Sequence, residues 1–364
     1  MKHVAAIIVL ILTSLASAQT TQPANVISPE VHPDRTVTFH LYAPKATNVA
    51  LFADWVPVGT TRAMTSDGKG IWTITQGPLP PGIYIYTFTA DGITMPDPVN
   101  PRIKLRWRTS ASTVELPGDH ELWEPRDVPH GKVEINYQKS SVLNETRAVW
   151  IYTPPGYAHD TAARFPVLYL FHGSNDTAAG WVTVGGANFI LDNLISEKQA
   201  VPMIVVMPYG HTVPYSAPRS EQSKNNALME RYVIEDIAPM IEKEYRTKSG
   251  RENHAIAGLS MGGGHALQIG LNHLDQFSAV AAFSSATPQN FESGLKANPQ
   301  ELNDKLKLLW ISCGRDDPAF SRWQRLDGVM TDQKIHHTFY ATDGAHTFTV
   351  WRESLGKFAP LIFH

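Results

Sequence analysis

A serine, Ser260, has a glycine two positions away on each side, Gly258 and Gly262. Residues 254–257 before this run are mostly apolar, which predicts a short buried strand, and residues 266–269 after it favour a helix. A strand, Gly-x-Ser-x-Gly and a helix in this order form the context of a nucleophile elbow, a strained turn that exposes the serine hydroxyl. We therefore predict that Ser260 is a nucleophile.

A serine nucleophile needs a histidine base and a carboxylate that orients the histidine. In hydrolases with a nucleophile elbow, the acid and then the histidine follow the serine, on loops after later strands. Strand-like residues 306–313 lead to Gly314, and Asp317, three residues beyond it, is the predicted acid, with Asp316 as the alternative. His346, on a glycine-containing loop after the next strand-like run, is the predicted base.

Backbone N–H groups beside the serine would hold the negative oxygen that forms during ester hydrolysis. Residues 165–171 read as a buried strand that ends at His172 and Gly173. We expect the N–H of Met261 and one from Gly173 or Ser174 to form this oxyanion hole. The imidazole of His172 is expected to support the turn rather than to react.

Three aromatic side chains are candidate substrate-binding residues. Trp181 follows the oxyanion turn and either forms a wall of an acyl pocket or packs in the core. Tyr209 and His211 lie in a loop after another apolar run and would line an apolar slot for a large acyl group.

Taken as a set, these motifs resemble the esterase D/feruloyl esterase group of carbohydrate esterases over about residues 130–364. The resemblance implies an α/β-hydrolase fold, the triad Ser260, Asp317 and His346, and hydrolysis of ferulate or acetate esters on plant polysaccharide without cofactor or metal. Enterobactin-type siderophore esterases and mycolyl transferases share this core, so the substrate stays open. The runs that carry the resemblance are His172-Gly173, 202–208, 245–247, 257–263, 314–317 and 344–352.

Residues 26–118 contain short runs of alternating apolar and polar residues, separated by Asp-Gly and proline-rich turns. This pattern predicts an all-β, immunoglobulin-like sandwich, and it resembles the early-set modules of glycogen-branching enzymes and related carbohydrate-binding modules. Exposed Trp55, Trp72 or Trp107 could stack on sugar rings. We favour the alternative, in which Trp72 belongs to the core and the module packs on the catalytic domain and shapes its cleft.

Residues 119–131 carry three proline or glycine residues and are predicted to be a linker. From residue 132 to residue 364, strand-like and helix-like runs alternate, as in an α/β-hydrolase domain. The clearest helices before the elbow are predicted at 187–198 and 225–245, and Pro239 is expected to kink the second.

Residues 1–18 are predicted to be a signal peptide cut after Ala18, which would place the protein outside the cell or in the periplasm. Its apolar run of about nine residues is too short to span a bilayer. A net charge of −3 offers no basic surface for nucleic acid, and no membrane partner is expected. The single cysteine, Cys313, is expected to be an inert core thiol.

The sequence therefore predicts a secreted serine ester hydrolase that acts on acylated plant polysaccharide such as arabinoxylan, with ferulate as the favoured acyl group. Acetylxylan esterase and siderophore esterase are the enzymatic alternatives. A carbohydrate-binding protein with an inactive hydrolase domain is the alternative from another class. It would lack a triad residue, whereas all three are present.

Overall fold

The computed structural model describes residues 26–57, 59–107, 109–119, 121–214, 221 and 224–364. The predicted signal peptide lies outside the described residues.

The N-terminal part of the chain forms two antiparallel sheets around one core. Apolar side chains alternate along the strands, so that Val37, Phe39 and Leu41 of one sheet and Val49 and Leu51 of the other are buried together. The sheets have the orders β1-β2-β6-β5 and β4-β3-β7-β10-β9, with β8 paired to β7. This is a β-sandwich. Its strands are β1 (Glu30–Val31), β2 (Val37–Tyr42), β3 (Val49–Ala53), β4 (Arg62–Ala63), β5 (Thr65–Ser66), β6 (Ile71–Gln76), β7 (Gly82–Ala90), β8 (Ile93–Met95), β9 (Ile103–Lys104) and β10 (Ala111–Leu116).

The remainder of the chain is built on an eight-stranded sheet of order β11-β12-β14-β13-β15-β16-β17-β18. In this sheet β12 pairs antiparallel with both β11 and β14, and every following pair in the order is parallel. Four of the central parallel strands, β13 to β16, are buried along their whole length, as expected for a sheet covered by helices on both faces. The strands are β11 (Lys132–Ser140), β12 (Glu145–Thr153), β13 (Val167–Phe171), β14 (Ile204–Pro208), β15 (His254–Leu259), β16 (Ala279–Phe283), β17 (Leu308–Gly314) and β18 (Thr338–Thr342).

Helices cover this sheet on both sides and enclose two apolar clusters. They are α1 (Gly180–Thr183), α2 (Ala187–Ser196), α3 (Asn225–Arg231), α4 (Ala238–Glu244), α5 (Met261–Asn272), α6 (Phe291–Ala297), α7 (Pro299–Lys305), α8 (Phe320–Asp332) and α9 (Phe348–Phe358). Among the described residues, no helix is long and apolar enough to cross a membrane. The fold is that of an α/β hydrolase preceded by a β-sandwich.

The predicted helix over 225–245 is continuous but changes its winding. A π-helical segment, Tyr232–Ile237, separates α3 from α4. Pro239 lies in the first turn of α4, where its missing N–H would otherwise disrupt the α-helical hydrogen bonds, and the wider π turn accommodates it.

The sandwich and the hydrolase share apolar and polar contacts. Ile83, Ile85 and Ala111 of the sandwich belong to the same buried cluster as Phe348 of α9. The described residues between β10 and β11 form no helix or strand. The division at 26–118, 119–131 and 132–364 stays a prediction about folding units, whereas the packing of the module on the hydrolase is a feature of the structure.

Candidate active site

The turn between β15 and α5 has the geometry of a nucleophile elbow. Ser260 has φ 53° and ψ −117°, a region that non-glycine residues rarely occupy. Its N–H donates to the carbonyl of Phe283 on the adjacent strand at 2.9 Å. A Cβ atom at Gly262 would lie 2.4 Å from the carbonyl oxygen of His172, so only glycine permits this approach of helix to strand. Contacts with the surrounding backbone stabilise the strained conformation of Ser260.

Three side chains form a hydrogen-bonded chain at this elbow. His346 Nε2 lies 3.0 Å from the Ser260 hydroxyl, and its Nδ1 lies 2.7 Å from Asp317 Oδ2. The other carboxylate oxygen of Asp317 accepts the N–H of Ala319 at 2.8 Å. Burial raises the pKa of Asp317, but its hydrogen bond with His346 and the Ala319 N–H more than offset this, so its net pKa is below the ordinary value. Asp317 is therefore an anion able to orient the imidazole.

The structure distinguishes the two candidate acids. Asp317 is buried under the imidazole, whereas the neighbouring Asp316 is exposed and lies at the rim of the cavity above Ser260. The two aspartates belong to the turn after β17. Of the pair, Asp317 contacts His346.

The predicted oxyanion turn lies directly beside the elbow. As the first residue of α5, Met261 has an N–H that no carbonyl of its own helix can accept. A Cβ atom placed on Gly173 would be 3.4 Å from the Cβ of Ser260, and Ser174 follows in the lining of the same cavity. The structure therefore places Met261, Gly173 and Ser174 beside Ser260, and their role as an oxyanion hole stays a prediction.

His172 supports this turn, as its position in the sequence suggested. Its Nε2 accepts the N–H of Gly210 at 2.8 Å, so Nδ1 carries the proton and donates to the carbonyl of Gly173 at 2.8 Å. Burial lowers the pKa of His172 to about 3, which keeps the ring neutral. A neutral ring with both nitrogens engaged has a structural role.

A cavity of 620 Å³ opens above Ser260, and the sandwich forms much of its wall. Phe52, Trp55 and Ile85 line it from the sandwich, and Trp351 lines it from the hydrolase, next to His346. The Trp351 ring meets the His346 ring edge to face at 5.0 Å. The sequence does not indicate this wall, apart from Trp55 as a candidate sugar contact.

Charged side chains of the sandwich also reach this cavity. Asp54, Lys104 and Arg106 line it from the module, and Asp176 and Asp316 line it from the hydrolase. Burial raises the pKa of Asp54 to about 6. Burial, reinforced by the charge of Arg106, shifts the pKa of Lys104 downward from its ordinary value. The cavity therefore combines aromatic walls with a compact charged region supplied from both sides.

Two of the predicted substrate-binding residues lie outside the lining of the cavity above Ser260. Trp181 is fully buried, donates its indole N–H to the carbonyl of Phe171 at 2.9 Å and packs on Phe283. Of the two roles predicted for Trp181, the structure supports packing in the core over an acyl-pocket wall, because the short α1 turns the side chain inward. His211 is also buried, and its ring stacks on Trp107 at 4.0 Å.

Tyr209 lines a second groove of 490 Å³, which Arg106 and Trp107 also line. Arg106 borders both this groove and the cavity above Ser260, so the two are neighbours. Trp72 packs against the sandwich core and donates its N–H to the carbonyl of Ala43 at 3.1 Å. Trp72 thus belongs to the core, as favoured from the sequence, and Trp107 lies at the interface with the hydrolase.

Cys313 is buried in β17, and burial raises the pKa of its thiol to about 12. The thiol is protonated at neutral pH and inert.

Comparison with known proteins defines the class. The family model for Esterase matches residues 140–360, and the chain belongs to this family of α/β-hydrolase esterases. It is 29% identical over 345 residues to an endo-1,4-beta-xylanase/feruloyl esterase of Xylanibacter ruminicola, a match that covers 92% of this chain and 46% of that relative. An S-formylglutathione hydrolase of Arabidopsis thaliana is 24% identical over 217 residues, covering 55% of this chain and 73% of the relative. The chain spans about half the length of the first curated relatives it matches.

Solved structures show the same architecture. A ferulic acid esterase superposes with a TM-score of 0.56 at 25% identity, covering 65% of this chain and 98% of its own. An enterobactin esterase of Shigella flexneri superposes with a TM-score of 0.70 at 19% identity and covers 90% of this chain and 92% of its own. The second match extends over most of the chain, so it shares the fold beyond the hydrolase region.

Proposed function

We propose that this protein is an exported serine esterase that removes feruloyl-type acyl groups from plant cell wall polysaccharide such as arabinoxylan. The observation that carries the proposal is the hydrogen-bonded chain of Ser260, His346 and Asp317 at the base of an aromatic-walled cavity. Membership of the esterase family and likeness to a relative named for feruloyl esterase activity support it. Export rests on the signal peptide predicted from residues 1–18.

In the proposed mechanism, the Ser260 hydroxyl attacks the ester carbonyl while His346 Nε2 takes its proton. Asp317 fixes the tautomer of His346 and stabilises the imidazolium. The N–H groups of Met261 and of Gly173 or Ser174 bind the oxyanion, an effect worth roughly 3 kcal/mol for each donor. His346 then protonates the sugar oxygen as its bond to the acyl carbon breaks, so that the sugar leaves as a free hydroxyl. Water attacks the acyl-enzyme by the same route to release the acid.

The cavity suits an aromatic acyl group that carries oxygen substituents. Its volume of 620 Å³ lies in the range of sites for drug-sized ligands and exceeds what an acetyl group requires. The Nε atoms of Trp55, Trp351 and Arg106 are buried without a hydrogen-bond partner among the described residues. Since unpaired buried donors are costly, ligand oxygens are fitting acceptors for them. Hydroxyl and methoxy groups on an aromatic ring would supply such acceptors.

The charges in the cavity distinguish this proposal from a siderophore esterase. Two cations, Lys104 and Arg106, are offset there by three acids, Asp54, Asp176 and Asp316. A site for a strongly anionic iron complex would need an excess of positive charge. The likeness to the enterobactin esterase therefore supports the shared fold more than a shared substrate.

A single substrate that carries both acyl groups tests the proposal. Purified protein is incubated with a feruloylated and acetylated xylo-oligosaccharide, and ferulate and acetate are quantified in parallel, with Ser260→Ala as the control. We expect ferulate release by the wild type and none by the variant. Acetate without ferulate would assign the protein to acetylxylan esterases. Equal release by Ser260→Ala would remove Ser260 from the mechanism.

A further inference from the structure

One lysine of the sandwich reaches under the oxyanion turn of the hydrolase. Lys104 ends the short strand β9, where it pairs with Ala111 of β10. Its ammonium group forms an ion pair with Asp176, and the two side chains are 4% and 5% exposed. The ammonium also lies 4.7 Å from the centre of the Phe348 ring, two residues after the proposed base. A buried charge of the sandwich therefore lies between two loops of the hydrolase, the oxyanion turn and the loop that carries His346.

Asp176 is part of the oxyanion turn itself. Its N–H donates to the carbonyl of Gly173 at 3.1 Å, which closes the turn. A Cβ atom placed on Gly173 would lie 3.6 Å from Asp176 Oδ2, and one placed on Gly180 would lie 3.3 Å from Asp176 Oδ1. The carboxylate is thus enclosed between the turn and the start of α1. Because the Asp176 N–H binds the Gly173 carbonyl, the placement of Asp176 is coupled to the backbone of Gly173.

We propose that Lys104 is a positioning residue: through its buried ion pair with Asp176, the sandwich module holds the turn from Gly173 to Asp176 in the geometry that binds the oxyanion. The inference rests on the proposed serine mechanism. It gives the module a part in the chemical step, in addition to any part in binding polysaccharide.

The physics of buried ion pairs supports a positioning role. Taking two charges out of water costs about as much as their attraction returns, so such a pair adds little net stability compared with apolar side chains. It does fix geometry, because either charge left alone would be buried without compensation. An error of about 1 Å in the position of an oxyanion donor can cost on the order of 10²-fold in rate.

The test uses the full-length protein and a small activated ester, p-nitrophenyl acetate, which makes no polysaccharide contact. Lys104→Met/Asp176→Asn removes both charges at similar volume, so neither partner is left charged and buried. We expect kcat to fall about 10- to 100-fold with KM within about twofold, because the turn binds the transition state more than the substrate. In the single variant Lys104→Arg, which keeps the charge, kcat should stay within about fivefold of wild type.

A matched control separates positioning of the turn from docking of the module. Glu115→Gln weakens a second ion pair between the two domains, in which Arg352 Nη1 and Glu115 Oε1 are 2.7 Å apart. Neither residue lines the cavity above Ser260. We expect the kcat of this variant to stay within about twofold of wild type. An equal loss of kcat in Glu115→Gln would overturn the proposal in favour of general docking.

Melting temperatures are measured for every variant, and Lys104→Gln/Asp176→Asn, which also leaves neither charge, replaces the first double variant if the latter does not fold. A folded variant without the pair that keeps kcat within about twofold would overturn the proposal, since loss of oxyanion stabilisation costs more. Ser260→Ala, measured in parallel, distinguishes this failure from failure of the serine mechanism. If Ser260→Ala stays active, the proposed function is wrong.

Discussion

Thr349 and Ile83 hydrogen-bond to each other twice across the boundary between the hydrolase and the sandwich. The Thr349 hydroxyl accepts the N–H of Ile83 at 3.2 Å and donates to the carbonyl of Ile83 at 3.1 Å. Thr349 lies in the first turn of α9, three residues after His346. The sandwich therefore fixes the start of the helix that follows the catalytic histidine loop.

Gly82→Ala should disturb this junction. Gly82 has φ 147°, and a Cβ atom there would lie 2.6 Å from the Thr349 hydroxyl oxygen. We expect a loss of unfolding free energy of more than about 1 kcal/mol, because both the backbone conformation and the contact oppose alanine. We also expect a lower kcat, since displacement of Thr349 would move the loop of His346. Urea unfolding and ester hydrolysis measure the two effects.

Gly92→Ala is the matched control for that substitution. Gly92 also has a positive φ, 86°, but a Cβ atom there would meet nothing within 4 Å. It should therefore show the cost of backbone strain alone, with kcat unchanged. Equal effects of the two alanine substitutions on stability and on kcat would mean that the contact with Thr349 contributes nothing.

Substitution of the two adjacent aspartates should give unequal losses of activity. In Asp317→Asn the hydrogen bond to His346 would favour the wrong imidazole tautomer, and we expect kcat to fall by roughly 10³-fold to 10⁴-fold. Asp316→Asn should lose less than about tenfold, because Asp316 is exposed at the cavity rim and contacts solvent. Steady-state kinetics on one ester provide the comparison. The reverse ranking would assign the acid to Asp316.

The elements that carry the triad could be predicted from the sequence, because the chemistry of this fold follows chain order. Ser260, Asp317 and His346 each follow a strand-like run, and the C-terminal ends of parallel strands meet at one edge of the sheet. Glycines with close backbone contacts marked the elbow. The structure brings these three side chains together at hydrogen-bonding distances.

The cavity wall could not be predicted, because it depends on how two domains dock. Lys104 and Asp176 are far apart in sequence, and no periodicity in either segment indicates the partner. For Trp181 the sequence left a pocket wall and core packing as equal alternatives, and helix packing turns the side chain into the core. Side-chain direction in a short helix is decided by tertiary contacts that local pattern does not contain.

Trp55→Ala should change acyl-group preference. Trp55 lines the cavity from the sandwich and packs edge to face on Tyr84 at 5.3 Å. Removal of this wall should lower kcat/KM for a feruloyl ester by roughly tenfold or more, since loss of an apolar contact of this size is worth about 1–3 kcal/mol. An acetyl ester, too small to reach the wall, should be affected less.

Trp72→Ala provides the comparison for Trp55→Ala. It makes the same truncation in the same sandwich, but Trp72 lies against the core on β6 rather than in the lining of the cavity. It should lower the melting temperature without changing the ratio of feruloyl to acetyl activity. A change in that ratio as large as the one in Trp55→Ala would show that destabilisation of the module, and not the wall, determines preference.

Acid should destabilise the protein through three buried histidines around Gly210. His172 accepts the Gly210 N–H, the ring of His265 lies 3.2 Å from the Gly210 carbonyl, and His211 follows directly. Burial is the largest cause of the lowered pKa values, about 3 for His172 and about 4 for His211 and His265. All three rings are therefore neutral in the folded protein over the physiological range.

Stability falls with falling pH because the unfolded state takes up more protons than the folded state. Each folded-state pKa is below the unfolded value of about 6.5, so between about pH 6.5 and pH 4 the unfolded chain binds more protons and stability falls with falling pH. From pH 7 to pH 5.5 we expect a loss of about 1 kcal/mol for each histidine, measured as the urea midpoint multiplied by the slope of the transition. His265→Gln lacks one titrating group. Between pH 7 and pH 5.5, this variant should therefore lose about a third less stability than the wild type, each measured relative to its own value at pH 7. A wild-type stability that does not change over this interval would show that the rings are protonated without cost, contrary to their burial.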